Sequence, residues 1–542
     1  MKLKFVAALL AGNAFCMAAP ALAQDTPAQA EQTEPDASDT QADAAIANAA
    51  PVDDAQARID LLEAQVEALQ ASIEQIKTQQ AKVIPTWKGA PQFDDKDAGF
   101  SFKPRGALQY DAGYVGFPNG DERRGTILGI TQTGGLNTSA GLNYNNLGWN
   151  TRARRLLIGA DGTIPGGFRY SIEFNFAQAQ VDFEDVLLAY DFKKSPITAQ
   201  IGYFYPFSSL ETMTSSKFTS FLERAGITDA FSHNRRIGAA LIASDKVTDS
   251  WIVQGGIFSE EMNGSNGDVY NRTGWVGAVR GVYSPMLGTT RLHLGANFEH
   301  RVNKKELQGK NYQARPMTQL TDQRFISTGN IPAKGDDIAG IEVAAIMKQF
   351  HFAAEAQKTW VRDTYTPAEI IALNADLGTN TTPQGAGLNG SPSFWGGYAE
   401  VGFYLTGETR GYKGGRFDRT KVLRPFNDGG WGAVQINGRI DYLDLSDRVD
   451  DSSPSLAAPF YVNGGKQTAY QASIIWNPMD YVRFMAQYSH MKVKGGPRVS
   501  YSTALNPTAA QLGMFDFDPT PVAVDERDFD SDMFAVRAQV DF

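Results

Sequence analysis

The sequence predicts an all-β chain: a sixteen-stranded antiparallel transmembrane β-barrel over residues 86–542, preceded by a coiled-coil segment over residues 53–85. Three observations predict it. From residue 86 onward, segment after segment alternates apolar with polar residues at period two. The connections between these segments alternate, in the main, between long and short. No run reaches the roughly 18 consecutive apolar residues that a membrane-spanning helix needs.

The segments that precede the strands read differently. Lys2 and Lys4 lead into an apolar stretch that ends at Ala21-Leu22-Ala23, the pattern of an export signal over residues 1–23. The single cysteine, Cys16, lies inside that signal and follows Phe15 rather than a small residue, so neither lipidation nor thiol chemistry is expected of the mature chain. Residues 24–52 are rich in Ala, Asp, Glu, Gln, Thr and Pro without an aromatic residue, the composition of a disordered spacer. Apolar residues then recur at Ile59, Leu62, Val66, Leu69, Ile73, Ile76 and Val83, a 3-4-3-4 heptad seam broken at Gln80 and ended by Pro85. A helix packed on its own chain and a self-associating helix both fit this seam. The lack of a second helical pattern favours self-association, and the seam leaves the number of copies open.

Charge sharpens the division. The chain carries 50 basic and 60 acidic residues, a net charge of −10, which argues against a nucleic-acid partner that needs a broad basic face. Residues 24–84 hold 12 acidic against 3 basic groups, so most of the acidic excess of the mature chain lies outside the barrel.

Strands are expected near 100–115, 148–159, 167–177, 181–192, 197–205, 235–243, 250–259, 273–283, 290–301, 338–347, 350–362, 393–406, 431–444, 467–476, 481–492 and 532–542. Phe168, Tyr170, Ile172, Phe174 and Phe176 alternate with Arg169, Ser171, Glu173 and Asn175, and the stretches around Leu292–Phe298 and Val434–Tyr442 repeat the pattern. Tight turns such as Lys193-Lys194-Ser195-Pro196 and Asn477-Pro478-Met479-Asp480 face long loops on the opposite rim, the layout of an outer-membrane barrel. The stretch Gly407–Gly430 breaks this rule. Tyr110, Tyr190, Tyr203, Tyr205, Trp275, Tyr283, Trp395, Tyr442, Trp476 and Tyr488 are expected to form interfacial girdles.

Four stretches carry a family resemblance: "IGYFYPFSSLETMTSSKFTSFLERAGITDAFSHNRRIGAAL" at 201–241, "WGAVQINGRIDYLDL", "YQASIIWNPMDYVRFMAQYSHMKV", and the ending "MFAVRAQVDF" with its terminal Phe542. They resemble the phosphate-selective porins of the O/P family over residues 99–542. The resemblance implies a sixteen-stranded, trimeric outer-membrane porin with a constricting third loop in the pore. It implies passage of small hydrophilic solutes and of anions such as phosphate, guided by basic residues. Outer-membrane lipid and the assembly machinery that reads the terminal strand are the further partners it implies, and the N-terminal segment is expected in the periplasm.

Parity assigns the pore-facing charges. Lys103, Arg105, Arg169, Arg280, Arg291, Arg301, Lys348, Arg439, Arg483 and Arg537 point inward, against Asp111, Glu173, Asp191, Glu299, Glu342, Glu355, Glu400, Asp441 and Asp541. The run Arg152-Ala153-Arg154-Arg155 cannot keep all its arginines on one face, so at least one of them marks a bulge or a wrong register. In the constricting loop that the resemblance implies, and at its exit, Lys217, Arg224, Arg235 and Arg236 face only Glu211, Glu223 and Asp229. A local basic excess at a narrow, low-dielectric point matters more than the total charge. The anion-binding candidates are therefore Lys103, Arg105, Arg169, Lys217, Arg224, Arg235, Arg236, Arg280, Arg291, Arg439, Arg483 and Arg537.

Other chemistry is poorly supported. Asp528, Asp530 and Asp532 lack the glycine and glutamate of a calcium loop, and the five histidines show no metal-ligand spacing. No nucleophile motif or phosphate loop stands out, so neither enzyme activity nor a cofactor is expected. The functional expectation is an anion-preferring diffusion channel. The alternative is a structural outer-membrane protein that links envelope layers through its coiled coil, with only weakly selective diffusion.

Overall fold

The computed structural model describes residues 59–60, 62–74, 86–87, 89–95, 97–116, 147–259, 274–303, 310–366, 368–369, 372, 390–447, 462–495 and 528–542. The expected leader, the spacer and most of the long loops lie outside them.

Sixteen strands close on themselves. They are β1 Phe100–Val115, β2 Gly148–Ile164, β3 Phe168–Asn175, β4 Asp182–Asp191, β5 Ile197–Phe204, β6 Arg236–Ser244, β7 Trp251–Phe258 and β8 Trp275–Tyr283. The second half is β9 Thr290–Val302, β10 Ala333–Met347, β11 Phe350–Thr364, β12 Ser393–Tyr404, β13 Ala433–Asp447, β14 Val462–Met479, β15 Val482–Lys494 and β16 Asp528–Asp541. Each pairs antiparallel with its neighbour in sequence. Closure comes from β16 on β1, in a register that sets Arg537 opposite Asp111 and Val540 opposite Leu108. Closure satisfies every strand's hydrogen bonds within the sheet, which is what a hydrocarbon surround demands. The short segments Thr86–Trp87 and Pro91–Asp95 pair with each other, and the latter pairs with the start of β1.

Alternation sorts the side chains as expected. On β16, Phe534, Val536, Val540 and Phe542 are exposed on the outer face, while Ser531, Arg537, Gln539 and Asp541 are buried inside. Ile172 is 39% exposed where its neighbour Ser171 is 9% exposed. Several strands outrun their expected limits, because inner-face packing continues where the apolar pattern fades: β2 reaches Ile164, β10 starts at Ala333, β14 spans Val462–Met479 and β16 starts at Asp528.

Two expectations need correction. Lys348 does not face the pore; it sits in the two-residue turn between β10 and β11 at a φ of 52° and is exposed. Tyr203 and Tyr205 are not girdle residues. Tyr203 is buried, and Tyr205 borders the lumen in a loop that has already left the wall.

The helical residues 59–60 and 62–74 form a separate unit. Ile59, Leu62, Val66, Leu69 and Ile73 are all about half exposed on it. Ile76 and Val83 lie outside the described residues.

Candidate functional site: a lumen narrowed from both ends

Three inserts fill one side of the barrel. The first is the loop 205–235, here L3, which carries α1 (Leu210–Met213) and α2 (Gly226–Phe231). Wall side chains hold it at its backbone. Leu222 N–H donates to Gln487 Oε1 at 2.7 Å, Glu211 N–H to Glu355 Oε1 at 2.8 Å, and Gly226 N–H to Asp441 Oδ2 at 2.9 Å. Two arginines clamp it further. Arg439 donates to Glu400 at 2.6 Å and to Glu211 at 2.7 Å, lying 4.4 Å from the Phe221 ring centroid. Arg537 forks onto Asp111 at 2.6 and 2.7 Å and reaches Glu223 at 2.9 Å.

The second insert is the connection 303–332, L5, whose hairpin Lys310–Ala314 and Ile326–Ile331 packs against L3. Tyr312, Phe325, Ile326, Leu222, Ile227 and Phe231 form one buried apolar cluster between the two loops and the wall. Arg315 ties L5 to L3 through Asp229 at 3.3 Å.

The third explains the exceptional stretch on the other rim. Residues 405–432, T6, are a turn by position, yet their first half dips into the lumen as a small hairpin, Gly411–Tyr412 with Phe417–Asp418. Arg280 donates to Gly415 O at 2.8 Å, Tyr412 Oη contacts His293 Nδ1 at 2.7 Å, and Arg410 donates to Phe218 O of L3. Gly414 and Gly415, at φ of 61° and 70°, make the hairpin tip.

A cavity of about 1510 Å³ remains beside these inserts, along β1 to β7. Twelve basic side chains line it: Lys103, Arg105, Arg154, Arg155, Arg169, Lys217, Arg224, Arg235, Arg315, Lys413, Arg416 and Arg419. Eight carboxylates do so: Asp161, Glu173, Asp182, Glu184, Asp185, Glu223, Asp229 and Asp418. The lining thus has four more basic than acidic groups, in a chain whose total charge is negative.

Pairing distributes that excess unevenly. Arg105 bridges Asp161 at 2.8 Å and Glu173 at 2.9 Å; Arg154 forks onto Glu223 at 2.7 and 3.0 Å; Arg235 pairs with Asp185 at 2.6 Å and with Glu184. Three guanidinium groups find only neutral partners. Arg155 donates to Gln109 Oε1 at 2.7 Å. Arg224 donates to the carbonyls of Glu211, Thr212 and Thr214 at 3.1 to 3.2 Å. Arg416 reaches Met213 O at 3.5 Å. None of the three makes an ion pair among the described residues, so their charge is available to the lumen. Lys217, buried and 3.9 Å from Glu173, is held below its usual pKa by that burial despite the carboxylate. For Glu223, burial opposes ionisation, but Arg154, Arg537 and Arg155 outweigh it and hold the carboxyl well below the usual range.

Of the twelve expected anion-binding residues, six border this cavity: Lys103, Arg105, Arg169, Lys217, Arg224 and Arg235. The other six point inward but are spent on structure. Arg280 pairs with Glu342 at 2.7 Å with neither side chain exposed, and Arg439 and Arg537 clamp L3. Arg483 donates to the carbonyls of Lys217 and Thr219, Arg236 to Ser259 O, and Arg291 to Ser284 O. Arg301, also expected inward, is buried against Asp336.

Of a bulge and a wrong register at Arg152–Arg155, the structure has the bulge. The β1–β2 register slips between Gln109, opposite Arg155, and Tyr110, opposite Ala153, which leaves Arg154 as the extra residue. The slip lets Arg154 and Arg155 both turn inward. With Arg315, Lys413, Arg416 and Arg419 they are the lumen cations that parity missed. The doubled arginine was a signal for the first two; the basic run in T6 was visible, but nothing local placed it inside the barrel.

Comparison with known proteins bears on the family of the chain. The family model "Phosphate-selective porin O and P" matches residues 132–515. An uncharacterized protein of Caulobacter vibrioides is 33% identical over 475 residues, covering 86% of this chain and 78% of its own length. Porin O of Pseudomonas aeruginosa is 25% identical over 452 residues, covering 77% of this chain and 89% of that one. Among solved structures, an anion-selective porin from Comamonas acidovorans aligns over 82% of this chain and 100% of its own, at 11% identity and a TM-score of 0.41. The chain belongs to the phosphate-selective porin O and P family and is an outer-membrane β-barrel channel.

Proposed function

We propose that the channel passes small hydrophilic solutes with a preference for anions, phosphate and related oxyanions among them. The observation that carries this reading is the cavity lining, twelve cations to eight carboxylates, with Arg155, Arg224 and Arg416 free of carboxylate partners among the described residues. An anion crossing there meets guanidinium forks able to donate two hydrogen bonds to one oxyanion. Low-dielectric walls strengthen the attraction. A channel rather than an enzyme is the reading both family and fold support.

The test is the reversal potential of single channels in a potassium chloride gradient, repeated with phosphate added. Chloride-selective current that phosphate blocks is expected; a cation-selective channel refutes the proposal.

A second reading concerns residues 53–85. The half-exposed seam of Ile59, Leu62, Val66, Leu69 and Ile73 favours association of this segment with copies of itself, in a protein that we take to be a homotrimer. On this reading the segment links the protein to copies of itself or to another envelope layer, and the barrel conducts without it.

A further inference from the structure

T6 does not end in the lumen. Its second half returns over the rim of the short turns and folds back on itself. Gly429 N–H donates to Phe426 O at 3.1 Å, Gly430 N–H to Pro425 O at 3.0 Å, and Gly432 N–H to Arg424 O at 2.9 Å. Gly430 suits this knot, since a Cβ there would lie 2.1 Å from Arg424 O. The leg that leads into this knot is held at two points: Val422 N–H donates to Asp480 Oδ1 of the neighbouring short turn at 2.8 Å, and Leu423 N–H donates to Glu408 Oε1 at the start of T6 at 3.2 Å.

A turn so constrained could have hidden its apolar groups, yet Phe426 is 59% exposed and Trp431 is 83% exposed. They are continuous with the membrane-facing wall. Trp476, on the outer face of β14, donates its indole N–H to Trp431 O at 2.8 Å and meets the Phe426 ring edge-on at 6.4 Å. The same indole stacks on Phe484 of β15 at 5.5 Å. Lys421 and Arg424 are exposed within the same segment and make no ion pair among the described residues, and Asp428 is the one acid of residues 421–431.

Aromatic rings joined to the lipid-facing band and flanked by unpaired cations have the chemistry of the membrane interface. Indole settles at headgroup depth, and Lys or Arg beside it reaches for phosphate. We propose that residues 421–431 form a docking site for an anionic phospholipid headgroup in the leaflet on the short-turn side, with Phe426 and Trp431 in the interfacial layer and Lys421 and Arg424 on the phosphate. The loop that narrows the pore is then anchored at its far end to the membrane.

The experiment uses the full-length protein reconstituted in phosphatidylcholine vesicles with and without phosphatidylglycerol. Retained lipid is counted by native mass spectrometry after detergent extraction. Wild type should keep phosphatidylglycerol over phosphatidylcholine. Lys421→Gln with Arg424→Gln should lower that preference by about fivefold per cation removed, the attraction of one surface cation to an anionic leaflet. Lys193→Gln with Lys194→Gln, on another short turn, should leave it unchanged. Chain-brominated lipid should quench wild-type fluorescence more than that of Trp431→Phe. Equal retention in all variants, or equal loss in both double variants, overturns the site. So does a Trp431 that brominated lipid does not reach while Trp431→Cys forms disulfide-linked dimers, because the patch would then be an interface between copies of the barrel.

Discussion

Neutralising Arg155 and Arg416 together should weaken anion selectivity without disturbing the barrel. Neither side chain holds a carboxylate in place; Arg155 meets Gln109 and Arg416 meets a carbonyl of L3, so glutamine leaves no buried charge behind. The magnitude follows from the lining, where the basic excess is four charges. One charge about 8 Å from an ion, at an effective dielectric between that of protein and water and screened over one Debye length, contributes about 0.3 kcal/mol. Four contribute about 1.2 kcal/mol, favourable to chloride and unfavourable to potassium. This corresponds to a selectivity ratio on the order of 50. Removing two charges halves the energy, and the ratio falls to about 7. Reversal potentials of Arg155→Gln/Arg416→Gln in a potassium chloride gradient measure this directly, with Lys193→Gln on a short turn as the control. An unchanged ratio in the double variant, with normal conductance, would show that the uncompensated guanidinium groups do not set selectivity.

Other outcomes follow from the same contacts. Arg235→Gln alone should reproduce the selectivity loss of Arg235→Gln/Arg236→Gln, because Arg235 faces the cavity and leaves Glu184 and Asp185 unmatched whereas Arg236 is turned onto Ser259 O; reversal potentials of all three variants decide it. Ile172→Arg should cost about 2–4 kcal/mol if it lies near the bilayer midplane. Ser171→Arg, facing the lumen beside Arg105, should fold far better, and equal loss of heat-modifiable barrel in both would contradict the face assignment. Glu223 titrates below the ordinary carboxylate range, so its contribution to L3 anchoring is present above the unfolded pKa and is lost only as pH falls through the depressed folded value. Single-channel conductance should therefore keep its value from pH 7 to pH 5 in wild type, while Glu223→Gln, which leaves Arg154 and Arg537 short of a partner, should show unstable conductance at both. Deleting residues 53–83 should leave a folded, conducting barrel, since sheet closure needs no helix; loss of insertion would make the segment part of the pore's fold.

Period-two alternation is a local property, and a wall between lipid and lumen imposes it on every strand. For that reason the sixteen strands, the two faces and the terminal strand ending in Phe542 were all legible from the residues. Even the bulge showed, since Arg152, Arg154 and Arg155 could not share a face in regular register. What alternation could not say is which inward charges meet water. Arg439, Arg280 and Arg169 look alike along their strands, yet Arg439 is sealed against Glu211 of L3, Arg280 against Glu342 and a carbonyl of T6, and only Arg169 borders the cavity. That difference is made by L3, L5 and T6, whose partners lie far away in sequence: in L3, Glu211 meets a residue 228 positions on, and Glu223 meets one 314 positions on. Folding three inserts into one side of the barrel buries half of the expected anion path and moves the rest beside β1 to β7. Only the closed tertiary structure, in which each buried guanidinium must find its carboxylate or carbonyl, decides which arginines are left for the ion.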